Sequence, residues 1–312
     1  YGNVPQVSAV LEGFKAVVVA IVVEAVLKIA KKAFHSAWHI AIAAAAFIAI
    51  YFLHVPFPLI VLGAAVLGIF LLRKKTAILN DQTKTQDQKP NSKNRLIKLT
   101  AAFAGLWLVP FLIVIFVFGF ETVAAKTYLF FTQAAFVTFG GAYAVLAYVN
   151  QAVVAAGWIT AEQAVDGLAL AETTPGPLIM VLQFIGFMTG WNNAGTFNQT
   201  GFAIFCGLLA TYATFLPSFF FIFVGAPHIE RLRHNRNLTS ALSGVTAAVV
   251  GVILNLALMF GAAVVFLNLQ IDLFALALAA LAFAALYFLK TDVLFVVIAG
   301  GACGLAKYFL IG

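Results

Sequence analysis

The chain has 312 residues, of which 63% are hydrophobic and only 9% charged, and its mean hydropathy is +1.05. A soluble domain carries about 25% charged residues, so this composition excludes a soluble globular protein and points to an integral membrane protein whose partner is the lipid bilayer. The net charge of +7 does not point to nucleic acid, because the basic residues stand in short blocks between hydrophobic runs.

The chain opens at "YGNVPQ" with no initiator methionine and no signal peptide, as a piece of a longer protein would. Segments 14–31, 38–53 and 56–72 are apolar and each is about as long as a helix that crosses roughly 30 Å of hydrocarbon. A polar stretch follows over 73–98, "RKKTAILNDQTKTQDQKPNSKNRLIK", with the composition of a flexible linker. Beyond it come segments 99–119, 127–149, 175–191, 202–226, 240–266, 272–289 and 292–310. The prediction is an all-α polytopic membrane protein with about ten transmembrane helices. Cys206 and Cys303 lie inside hydrophobic runs and read as packing residues.

Charge sets the expected orientation. Lys28, Lys31 and Lys32, the basic linker, and Arg231, Arg233 and Arg236 fall on one side if every segment crosses once. By the positive-inside rule that side is the cytoplasm. The loop 150–174 falls on the same side although it carries Glu162, Asp166 and Glu172, since acids count little in this rule.

The sequence also repeats. "SAVLEGFKAVVVAIVVEAVL" from Ser8 matches "SALSGVTAAVVGVILNLAL" from Ser240, pairing Gly13 with Gly244 and Ala16 with Ala247. "YFLHVPFPLIVLGAAVLG" from Tyr51 parallels "YFLKTDVLFVVIAGGACG" from Tyr287. The partner lies seven spans further along than the first stretch, so the copies are expected to face opposite ways, an inverted-topology repeat of the kind found in transporters. On this reading residues 1–72 end a truncated first repeat, 73–98 is a cytoplasmic linker, and 99–312 is a complete second repeat.

Two features interrupt hydrophobic sequence in the second copy: "TFGGAY" from Thr138 and "ETTPGP" from Glu172. Loosened backbone at membrane depth is tolerated where it is buried in protein or lines a watery cavity. A helix that starts there presents free N–H groups and the positive end of its dipole to an anion. Thr138, Phe139, Gly140, Gly141, Thr173, Thr174, Pro175 and Gly176 are the candidate binding residues, and Gln183 can add a side-chain amide. The plainer readings stand beside these. Gly140 and Gly141 also suit tight helix packing, "TTPGP" also suits a helix cap, and Glu172 also suits a helix dipole. Tyr143, Tyr148 and Trp158 read as packing or interfacial aromatics, and Glu24 as a buried or snorkelling acid with Asn255 as its repeat partner. Neither a metal-ligand pattern nor an enzyme motif occurs, so no cofactor is expected.

"FGGAYAVLAYV" followed by "GWITAEQAVDGLALAETTPGPLIMVLQFIGFMTGW" closely resembles the chromate ion transporter family, in the C-terminal half of its long, two-domain members. The similarity is dense over 138–191. It implies an inner-membrane carrier that exports chromate, is driven by the proton-motive force and confers chromate resistance. The family's usual "LPYM" stands here as "LAYV" at 146–149, and N-terminal copies of the FGG and PGP elements are not found in this sequence. The expected ligand is a tetrahedral dianion, chromate or a sulfate-like oxyanion, held by backbone N–H groups because Lys126 and Lys290 are the only cations near the apolar core of the second copy. Glu172, beside such a site, is the expected protonation switch. A sulfate permease, a structural subunit and an intramembrane enzyme are the competing readings, and a homo-oligomer is compatible with the sequence.

Overall fold

The computed structural model describes residues 4–72, 93–137, 142–173, 178–225, 235–267 and 270–311. These form twelve α-helices: α1 (Pro5–Ala33), α2 (Ala37–Tyr51), α3 (Phe57–Leu72), α4 (Lys93–Phe118), α5 (Val123–Val137), α6 (Ala142–Ala155), α7 (Ala161–Thr173), α8 (Val181–Asn192), α9 (Gln199–Gly225), α10 (Arg236–Val265), α11 (Leu273–Tyr287) and α12 (Val293–Ile311). A single 3-10 turn, Leu178–Met180, leads into α8, and a short antiparallel hairpin pairs Phe266 with Ile271. Helix starts are chemically marked. The Asn235 side chain accepts from the backbone N–H groups of Asn237 and Leu238 ahead of α10, and Asp272 accepts from Phe274 and Ala275 ahead of α11.

Among the described residues four helices are long and apolar enough to cross a bilayer, over Asn94–Phe118, Gln199–Gly225, Arg236–Val265 and Val293–Leu310. Pro110 and Pro217 sit inside α4 and α9; neighbouring helices make such breaks tolerable in membranes. By contrast α5 to α8 have only 12 to 15 residues each, roughly 18–23 Å against about 30 Å of hydrocarbon.

Here the structure corrects the sequence reading. The expected single crossing over 127–149 is two helices, α5 and α6, and α6 folds back along α5. The Phe130 ring lies 5.5 Å from Tyr148 and 5.7 Å from Trp158, whereas a continuing helix would carry Tyr148 about 27 Å down its axis. The expected loop over 150–174 contains α7, whose Ala164, Val165, Leu168 and Ala169 are fully buried at helical spacing. Its acids lower its hydropathy and hid it among loops. α7 and α8 run antiparallel, because Gln163 hydrogen bonds Asn192 while Gly167 meets the Phe184 ring. Asn192 and Asn193 both donate from Nδ2 to the Trp158 carbonyl, at 3.0 and 3.2 Å. The 156–160 and 193–198 connections therefore share one end of the bundle, so 156–160 does not lie with the basic blocks.

Small residues set the closest crossings. Gly186 and Gly190 of α8 lie against Cys206, Ala203 and Ala210 of α9, with no space for a Cβ. The same device joins distant parts of the chain. A Cβ on Gly68 of α3 would strike Ser240 and Gly244 of α10, and one on Gly304 of α12 would strike Ala9 and Gly13 of α1. α1 thus packs on α11 and α12, while α10 packs on α2 and α3.

Local geometry at the two similar stretches also agrees. Phe47 stacks on Tyr51 and Phe283 on Tyr287, each at 5.4 Å. His54 and Lys290, which follow, both take left-handed backbone, φ 51° and 54°.

Candidate functional site

Tyr143 is the second residue of α6 and Glu172 the second-to-last of α7. The Tyr143 hydroxyl donates to Glu172 Oε1 at 3.2 Å, with both side chains partly buried. The turn Leu178–Met180 packs against α6, α7 and α8. The helix ends that flank "TFGG" and "TTPGP" are thereby brought together. Thr138, Phe139, Gly140, Gly141, Thr174, Pro175 and Gly176 themselves lie outside the described residues. Thr173 closes α7, and Gln183 occupies the first turn of α8, partly buried.

The polarity of this junction follows from helix direction. α6 and α8 point their N-terminal, positive ends toward it, and α7 points its C-terminal, negative end. Glu172 stands in the last turn of α7, whose negative end it faces, and bonds a residue of the first turn of α6, whose positive end lies at the same junction. Its visible compensation is the Tyr143 hydroxyl. Tyr148 is a packing residue as expected, stacked on Phe57 at 4.8 Å.

A second polar cluster escaped the sequence reading. Lys15 of α1, with a side chain only 14% exposed, places Nζ 2.6 Å from Glu162 Oε1 and 3.2 Å from Asp166 Oδ1 of α7. The one hint in the sequence was a lysine in an apolar segment, together with two acids at i, i+4 in the supposed loop. Glu24 is buried and pairs with Lys28 one turn on, at 2.5 Å, while its repeat partner Asn255 is also buried. Thr127, Asn150 and Thr189, on α5, α6 and α8, bury side-chain polar atoms without a hydrogen-bond partner among the described residues.

Apolar helices of crossing length, paired short helices and a polar junction at their ends define a polytopic integral membrane protein. The family described as Chromate transporter matches residues 1–69 and 125–305, and the chain belongs to that family, whose members are transporters and not enzymes. It is 34% identical over 176 residues to the chromate transport protein of Pseudomonas aeruginosa, covering 55% of this chain and 39% of that protein. Identity to the probable chromate transport protein of Synechococcus elongatus is 29% over 161 residues, or 51% and 38% of the two chains. For the chromate transport protein of Cupriavidus metallidurans it is 31% over 125 residues, or 40% and 28%. The chain thus matches less than half the length of these relatives. No solved structure matches it.

Proposed function

We propose that this chain forms the substrate-binding part of a secondary carrier that exports chromate across the inner membrane, is driven by the proton-motive force and confers chromate resistance. The observation that carries the reading is the junction of α6, α7 and the start of α8, held by Tyr143 and Glu172. Two helix N-termini aimed at one place suit a tetrahedral dianion, which needs several donors. Thr138, Phe139, Gly140, Gly141, Thr173, Thr174 and Gly176 supply backbone and hydroxyl donors, Pro175 breaks the backbone between them without donating, and Gln183 adds an amide. Glu172 is the coupling residue. An inside-negative potential of 100 mV favours expulsion of a dianion by about 4.6 kcal/mol, roughly a thousandfold, so voltage alone can drive export and the charge state of Glu172 sets its pH dependence.

The short hairpins α5/α6 and α7/α8 enter and leave by the non-cytoplasmic face. Lys28, Lys31, Lys32, Arg95, Lys98 and Arg236 mark the cytoplasmic face with the linker 73–98. Residues 1–72 and 99–312 belong to two inverted repeats. The exchange of partners between α1 and α10, with matching glycine crossings, supports that symmetry.

The test is chromate uptake into inverted vesicles containing the chain, with and without sulfate as competitor. Uptake that collapses with a protonophore is expected, and sulfate should compete weakly. Uptake equal to that of vesicles lacking the protein overturns the reading. Sulfate transport unaffected by chromate would assign a different oxyanion.

A further inference from the structure

We propose that Tyr143 is a direct ligand of the transported oxyanion and that its hydroxyl changes acceptor during each cycle, from Glu172 to the anion. This rests on the oxyanion-carrier reading and adds to it a residue and a step. In the structure the hydroxyl donates to Glu172 Oε1 at 3.2 Å, from the second residue of α6, beside the helix end that points its positive pole at the junction. A phenol has one O–H to give. It can satisfy the carboxylate or a dianion arriving at the same helix end, but not both.

The exchange has a charge consequence. When the hydroxyl turns to the anion, Glu172 loses the donor it holds, while the α7 C-terminus and the new dianion both repel its charge. The carboxylate then takes one proton from water on the side to which the site is open, leaving hydroxide there, and becomes a neutral carboxylic acid. One proton is taken up by the site with each anion bound, so the loaded site moves a single net negative charge, which an inside-negative potential still drives outward. Among the described residues, the helices packed against α7 offer few rival groups. Glu24 of α1 pairs with Lys28 but its charge also reaches Tyr143, and Lys15 is committed to Glu162 and Asp166. α6 adds only Tyr148, stacked on Phe57, and α8 has no titratable group. α10 has only Arg236 at its start, and α12 has Cys303, Tyr308 and a Lys307 turned toward Glu12 and Asp272.

The experiment is a double-variant cycle on the purified full chain, with Y143F, E172Q and both together, reading binding of radiolabelled sulfate and of chromate across pH. In the wild type affinity rises as pH falls, because binding takes up a proton, and in E172Q it is high and flat with pH. The deciding variant is Y143F in the E172Q background. A ligand role weakens anion binding there by about tenfold or more, the worth of one hydrogen bond to a charged acceptor. A Tyr143 that only positions Glu172 leaves E172Q binding unchanged, and that result overturns the proposal. If the wild type binds neither anion, the carrier reading itself has failed. Should a variant not fold, the infrared difference spectrum of the wild type on anion addition decides. A shift of the tyrosine C–O band together with a new protonated-carboxyl band is expected, and the absence of either refutes the exchange.

Discussion

Replacing Lys15 with Met would strand two carboxylates between α1 and α7. Removing one partner of a fully buried pair costs about 3–5 kcal/mol, but this cluster is not uniformly buried. The Glu162 side chain is 69% exposed and water screens it, so its share is no more than about 1 kcal/mol. Asp166 is 21% exposed, and its share falls to about 2 kcal/mol, below the range for a fully buried pair. A loss of about 2–3 kcal/mol is therefore expected for K15M. It is measured by denaturant titration in mixed micelles, monitored by tryptophan fluorescence. In K15M/D166N the stranded charge is gone, and at least half of the loss should return. The reasoning is refuted if K15M unfolds like the wild type, or if the double variant is no more stable than the single one.

Further outcomes follow from other sites. Gly68→Val should prevent tight association of α3 with α10 and cost about 1–3 kcal/mol or more, whereas Gly63→Ala, with open space around its Cβ, should unfold within about 0.5 kcal/mol of the wild type. Asn150→Leu should stabilise the chain by about 1 kcal/mol, since neither polar atom of this fully buried side chain has a partner; a less stable protein would show that the amide is bound to something essential. Gly176→Val should abolish anion transport in vesicles, because a branched side chain crowds the backbone groups proposed to hold the oxyanion. Glu172→Gln should leave transport responsive to voltage and indifferent to an imposed pH gradient, and a full response to pH would remove Glu172 from the coupling step.

The helical membrane architecture and the family were legible from composition and from two motifs. The reversals within α5–α8 were not. A run of 23 apolar residues looks alike whether it is one crossing or two short helices folded together, and the contact that tells them apart, Phe130 with Trp158, is tertiary. Helix α7 stayed hidden because Glu162, Asp166 and Glu172 gave it the hydropathy of a loop, although Ala164, Val165, Leu168 and Ala169 carry a helical stripe. The hydrogen bond of Tyr143 was not legible because its acceptor, Glu172, lies 29 residues away on another helix. Lys15 and Glu162 are 147 positions apart, a pairing no local pattern encodes.

The glycine crossings also set the order in which the protein can be built. α1 is made well before its tightest partners, Gly300 and Gly304 of α12. At about 5–20 residues per second of synthesis, roughly 15–60 s pass before those partners exist. Glu162 and Asp166 arrive midway, so for much of that interval Lys15 sits in or near the bilayer with no acid to meet it. A newborn α1 therefore needs a temporary partner, either the insertion machinery or the lipid headgroups, and the second half of the chain acts as the chaperone of the first.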